Sequence, residues 1–144
     1  MKSILLILIF LPFISISQNL KKANLIVVAT NGSVETIYKK TVMVLIQNGY
    51  KIEYSAKDLR SILTSPKVLS EDEITINLDF FIVSNKEIQI RGNTFIPNVG
   101  VSKIENVGMK GSPAKISWEE MNKIAKILGK DITYKISFKP EKQL

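Results

Sequence analysis

Apolar positions along this chain change period several times, and each change marks an element. Residues 24–30 (NLIVVAT) form a short β-branched run between polar flanks, the pattern of a strand. From Ser33 the period lengthens. Val34, Ile37, Tyr38, Thr41, Val42 and Leu45 fall on one helical face, with Ser33 as N-cap and Gly49 as the left-handed residue past the end. The same stretch admits a rival, because Asn48-Gly49 between TVMVLIQ and YKIEYS is a strong hairpin signal. The helix is preferred, since a hairpin leaves residues 33–40 without a role while the helix uses cap, period and stop together.

After Gly49 the period becomes two. Tyr50, Ile52 and Tyr54 alternate with Lys51, Glu53 and Ser55, which predicts a half-buried strand. Another strand is expected over residues 59–64, stopped by Ser65-Pro66. An acidic loop at residues 70–73 (SEDE) then leads into the longest strand, 74–83. There Ile74, Ile76, Leu78, Phe80 and Ile82 share one face, and Thr75, Asn77, Asp79, Phe81 and Val83 share the other. Residues 87–95 follow with Ile88 and Ile90 apolar and Gln89 and Arg91 polar. Pairing Ile82 with Ile88 and Phe80 with Ile90 keeps like faces together. That register sets Asp79 across from Arg91 and Asn77 across from Asn93, with a three-residue turn at residues 84–86.

Residues 93–117 hold Pro97, Gly100, Gly108, Gly111 and Pro113, and read as a long, partly irregular connection. A second helix is expected from Ser117, with Glu120 completing a capping box and Glu119-Glu120 at the positive end of the dipole. Its apolar face is Trp118, Met121, Ile124, Ala125 and Leu128, which makes Trp118 a core residue, and Gly129 ends it. The segment DITYKISF is either a final strand or a tail. The order β-α-β-β-β-β-α predicts an α+β, two-layer domain: an antiparallel sheet of about five strands with both helices on one face.

Composition adds a destination. One Lys, the apolar run ILLILIFLPFI and the small residues SISQ at 15–18 have the layout of a secretory signal peptide over residues 1–17. The apolar run is too short to span a bilayer, which takes about 20 residues. No Cys follows it, so the pattern of an acylated lipoprotein is missing. The expected organisation is signal peptide 1–17, one domain over 18–130, and a C-terminal strand or tail over 131–144. The expected location is periplasmic or extracellular, with no membrane span once the signal is removed. The formal charge of +7 becomes +6 without Lys2. The lysines are dispersed, and scarce Arg together with export argues against nucleic acid as a partner.

The chemistry is bounded by two absences. There is no His and no Cys, which removes the usual general base, the thiol nucleophile and nearly all zinc and copper sites. No cofactor and no metal site is expected. The stretch ATNGSVETIYKK invites comparison with a phosphate-binding loop, but it has one Gly and no Lys inside the turn. It reads as a strand-to-helix turn. Glu71-Asp72-Glu73 lacks the spacing of an EF-hand loop and reads as a solvated acidic turn.

The signal ending in SQ, the helix SVETIYKKTVMVLIQNGYKI, the set of strands and the closing helix SWEEMNKIAKILG together resemble a family of uncharacterised secreted bacterial domains. Those domains are described as TATA-box-binding-protein-like, and the outer-membrane assembly lipoprotein BamC has related ones. The likeness covers roughly residues 24–129 and rests on element order, Gly49-Tyr50 and Trp118. It implies a non-enzymatic binding or envelope-assembly module and transfers no functional residues. The expected binding surface is the open sheet face, with Lys51, Glu53, Thr75, Asn77, Asp79, Phe81, Gln89 and Arg91. The expected partner is an envelope protein or an anionic glycan or lipid surface. The alternative is a small hydrolase or lyase using Asp79 or Glu73 with a lysine, which a concave pocket around a carboxylate would favour.

Overall fold

The structure is a computed structural model that describes residues 20–69 and 73–137. The expected signal peptide and most of the acidic turn lie outside the described residues. In chain order the elements are β1 (Leu25–Ala29), α1 (Val34–Gln47), β2 (Ile52–Ala56), β3 (Ser61–Thr64), β4 (Lys67–Val68), β5 (Thr75–Ser84), β6 (Glu87–Ile96), β7 (Gly100–Lys103), α2 (Pro113–Leu128) and β8 (Ile132–Lys135). The chain is α+β. Among the described residues it has eight antiparallel strands rather than about five, because β4, β7 and β8 join the sheet.

The β5–β6 hairpin is the spine. Its alternation buries Ile76, Leu78, Phe80 and Ile82 from one strand and Ile88 and Ile90 from the other. These six pack with Trp118, Met121, Ile124, Ala125 and Leu128 of α2 and Ile37, Val44 and Leu45 of α1 in one core. Both helices therefore lie on the same side of the sheet. Full burial of each such aliphatic or aromatic side chain stabilises the fold by about 1.5–3 kcal/mol. The sheet runs β2-β3-β5-β6-β1-β8, with β4 also on β5 and β7 also on β6. Strand β1 pairs with residues 87–90 of β6, whereas β7 pairs with residues 93–96. Two strands thus meet end to end along one edge of β6, opposite Arg91 and Gly92.

Helix α1 settles the rivalry over residues 41–55. Ser33 Oγ accepts from Thr36 N at 3.1 Å, the orphan-donor satisfaction expected of an N-cap. Gly49 takes φ 79° just beyond the C-cap, a conformation that costs glycine nothing. Helix α2 begins earlier than expected. Ser112 is its N-cap and Pro113 stands at the first helical position, where the missing N–H is no loss. Ser117, expected as the cap, is instead buried inside the first turns. Its hydroxyl donates to Pro113 O at 3.0 Å and lies 2.9 Å from Thr94 Oγ1. At the other end Lys40 Nζ donates to Leu128 O at 2.9 Å and satisfies a terminal carbonyl.

Two register details correct the alternation argument. Between Ile52↔Thr64 and Tyr54↔Leu63 the pairing shifts, so Glu53 is an extra residue in β2. This bulge turns Tyr54 onto the face opposite Ile52, and Tyr54 is exposed rather than half-buried with it. The hairpin keeps the expected register from Thr75↔Phe95 to Ile82↔Ile88, then shifts to Ser84↔Glu87. A bulge at Val83 absorbs one residue, so a two-residue turn at Asn85-Lys86 coexists with matched faces. The expected three-residue turn is not needed.

Candidate functional site

Cross-strand pairing defines what stands together on the helix-free face. One row runs Tyr54, Leu63, Asp79, Arg91. The next runs Ala56, Ser61, Phe81, Gln89, Val27. On the other side of Asp79 lies Asn77, Asn93, Lys103, and beyond it Thr75, Phe95, Val101. Exposed aromatics flank the polar centre: Tyr54 is 50% exposed, Phe81 46% and Phe95 45%. Phe81 and the Thr75–Phe95 rung are six residues apart along β5, about 20 Å at roughly 3.4 Å per residue.

Two hollows share Asp79 and Arg91. The first, of about 230 Å³, opens where β1 and β7 meet and is lined by Asn24, Asp79, Arg91, Gly92, Asn93, Lys103 and Ser137. The second, of about 340 Å³, is lined by Ser61, Asp79, Phe81, Gln89 and Arg91. Together they form a polar trough across the sheet centre. Its wall at β1 is fixed, because Asn24 is buried and clamps the backbone of residue 137. Ser137 N donates to Asn24 Oδ1 at 2.7 Å, and Asn24 Nδ2 donates to Ser137 O at 3.2 Å.

Asp79 and Arg91 face each other as the pattern required, yet among the described residues no ion pair or hydrogen bond joins them or occupies the Asp79 carboxylate oxygens. Arg91 makes no side-chain hydrogen bond there either. Partial burial pushes the Asp79 carboxyl above its ordinary value, and the charge of Arg91 only partly offsets this. Asn77, Phe81, Gln89 and Thr75 stand around the pair as expected, although Gln89 spends its amide on Glu87 Oε1 at 3.0 Å. Lys51 and Glu53 line neither hollow: one precedes β2 and the other occupies its bulge at the sheet's far edge. Glu73, at the foot of β5, also lines neither.

Sequence reasoning missed Asn24, Lys103 and Ser137. Lys103 was legible in principle: Asn98 and Gly100 both take positive φ in a tight turn between β6 and β7. Asn98-Val99-Gly100 is the signal of such a turn.

A second polar cluster lies on the helix side. Lys67 Nζ donates to Glu120 Oε1 and to Asn48 O, both at 2.9 Å, and sits 4.3 Å from the centre of the Tyr50 ring. Tyr50 Oη donates to the same Glu120 oxygen at 3.2 Å, and Lys123 adds a contact at 3.4 Å. Burial opposes ionisation of Glu120, but Lys67, Lys123 and Tyr50 together hold its carboxyl below the ordinary value. Burial pushes the Tyr50 hydroxyl up, and the Glu120 charge adds to that. Glu120 is therefore the staple between α2, β4 and the end of α1, rather than the dipole partner expected from its place near a helix start.

A further cavity of about 260 Å³ lies beside the Asn31-Gly32-Ser33 turn, lined by Thr30, Thr36, Lys40, Leu128 and Asp131 among others. Ser33 is engaged as a cap, Lys40 is engaged with Leu128 O, and Asp131 adds a negative wall. The turn is not equipped for phosphate. Among the described residues no group of three or more acidic side chains is arranged to hold a metal ion, and no helix is long and apolar enough to cross a membrane. No protein-family model matches the chain, and no curated protein matches it.

Proposed function

We propose that this chain is an exported, non-enzymatic binding or assembly module that engages its partner on the open face of its sheet. The observation that carries this reading is the contrast within single strands. One face is sealed by two helices, while the other presents three half-exposed aromatics around an uncommitted Asp79–Arg91 pair. Aromatic anchors about a polar centre are the composition of recognition surfaces. The mixed charge of the face, with Asp79 and Glu87 set among Arg91, Lys103 and Lys135, suits a protein or a sparsely anionic surface better than a nucleic acid. A TATA-box-binding-protein-like fold, as in the BamC-type domains, belongs to the same proposal. Its support is the element order and the placing of both helices on one side.

Export is tested by sequencing the N-terminus of protein recovered from the envelope or medium, where residue 18 or 19 is expected first; retention of Met1 defeats it. The binding face is tested by capture from envelope extracts with the wild type, a Phe81→Glu/Phe95→Glu variant and a Met43→Glu/Ile46→Glu variant on the exposed side of α1. Loss of the captured partner in the first variant alone supports the reading. Loss in the second variant alone moves the interface to the helices.

A second reading is favoured by the hollow beside Asp79: a lyase or hydrolase with Asp79 as the acid–base group. A raised carboxyl in a concave site fits general acid–base work. Ser61 is the one hydroxyl lining the second hollow, and neither His nor Cys exists to activate it. The binding reading stands ahead for that reason.

A further inference from the structure

The trough narrows at the junction of β1 and β7 to a hollow of about 230 Å³, below the volume of pockets that hold drug-sized ligands. Four polar side chains meet there: Asp79, Arg91, Asn93 and Lys103. Register places them as two adjacent rungs, Asp79↔Arg91 and Asn93↔Lys103. None of the four bonds another side chain among the described residues, although an acid and two bases lie within one small volume. Elsewhere on this chain such neighbours do pair: Lys67 with Glu120, Lys57 and Lys39 with Glu35. The failure to pair is local. Asn24, buried and doubly bonded to the backbone of Ser137, keeps the β1 wall from closing over the space.

We infer that this hollow is a subsite for a compact α-substituted carboxylate, an α-amino or α-hydroxy acid, presented free or at the end of a larger partner. The ligand carboxylate lies between the Arg91 guanidinium and the Lys103 ammonium, a charge-assisted arrangement. The ammonium or hydroxyl on the adjacent carbon donates to the Asp79 carboxylate. Asn93 supplies an amide to whichever oxygen remains. A plain anion site would place bases alone around the space; Asp79 in the same wall repels an anion that brings no donor. The inference rests on the open face being the binding face, and it deepens that reading by naming what the polar centre recognises.

The test is a titration of the purified protein followed by backbone amide shifts of Gly92, Asn93 and Lys103. The ligands are alanine, lactate, propionate and alaninamide, which share a three-carbon frame. Alanine and lactate are expected to shift these amides at least tenfold more tightly than propionate, and alaninamide not at all. The ratio of alanine to lactate tells whether the donor is an ammonium or a hydroxyl. Asp79→Asn is expected to bring propionate level with lactate, and Arg91→Gln to abolish all binding while the rest of the amide spectrum stays in place. Equal binding of propionate and alanine to the wild type overturns the inference in favour of a nonspecific basic patch. Absence of any shift overturns it too, while leaving the capture experiment with Phe81 and Phe95 to decide the wider reading separately.

Discussion

Phe80 and Phe81 are neighbours in one strand, alike in chemistry and opposite in fate. Phe80 is fully buried against both helices, and Phe81 is 46% exposed on the bare face. The same division runs the length of the β5–β6 hairpin, where Ile76, Leu78 and Ile82 go inward and Asn77, Asp79 and Val83 go outward. Period two makes the division automatic, but the covering of only one side is a property of the whole chain. Both helices dock on the inward face, so stability is concentrated there. The outward face is left free to carry groups chosen for other reasons, including an acid and a base that do not pair.

That division is most easily broken by truncating one residue on each side. Phe80→Ala and Trp118→Ala should each cost about 3–5 kcal/mol, because both side chains are fully buried and leave cavities. Phe81→Ala should stay within about 0.5 kcal/mol of the wild type, as surface substitutions do. Urea unfolding of the three variants measures this. Trp118 tests the division from the helix side: its ring lies 5.7 Å from that of Tyr134 and its indole N–H has no hydrogen-bond partner among the described residues. A stable Trp118→Ala variant would mean that the helices do not seal the inward face as described.

Much of this division could be read from the residues alone. Alternation in the long hairpin fixed both faces and the Asp79–Arg91 and Asn77–Asn93 rungs, since any slip would have mixed Ile with Gln and Arg. The cap at Ser33 and the stop at Gly49 located α1. The failures share a cause: each turned on an extra residue, a displaced cap or a partner distant in sequence, none of which local periodicity can see. The bulges at Glu53 and Val83 reset the alternation locally. Ser112-Pro113 lay in a segment whose Gly and Pro content resembled a loop, so the true start of α2 was passed over for Ser117. Glu120 looked like a capping partner because its real partner, Lys67, is 53 residues away in sequence. The junction of β1 with β7, and hence the hollow, depends on which strands meet β6 end to end. No local pattern encodes that.

Glu120 sharpens the comparison on the inward side, where its carboxylate is held by several partners at once. Its side chain is 15% exposed and accepts from Lys67 and Tyr50. Glu120→Gln should cost about 1.5–3 kcal/mol at pH 7, the range for hydrogen bonds to charged groups. The folded-state carboxyl titrates below its ordinary value of 4.5. Its stabilisation is therefore complete above pH 4.5 and lost as pH falls through the folded value. The gap between wild type and Glu120→Gln should accordingly close in acid, below pH 4.5. A gap that is unchanged down to pH 3 would show the cluster to act through packing rather than charge.

The smallest expected effect comes from the outward side and has the opposite sign with pH. Asp79 is exposed and has no bonding partner, but the groups around it strip part of its water, so the folded state disfavours its ionised form and the carboxyl titrates above 3.8. The folded protein then holds its proton longer than the unfolded chain does. Ionisation of Asp79 lowers stability as pH rises from 3.8 through the folded value, and the loss persists at neutral pH. Asp79→Asn removes that loss while keeping shape. At pH 7 the variant should be equal to or slightly more stable than the wild type, within about 0.5 kcal/mol. Below pH 3.8 its relative advantage should disappear. A true cross-strand ion pair with Arg91 predicts the reverse, a loss at neutral pH of about 0.2–1 kcal/mol that fades in acid. Thermal unfolding of the two proteins at pH 7 and pH 3 separates the alternatives by sign. A destabilised Asp79→Asn at pH 7 would mean that Asp79 and Arg91 hold the sheet together, and an outward face committed to its own ion pair has nothing left to offer a ligand.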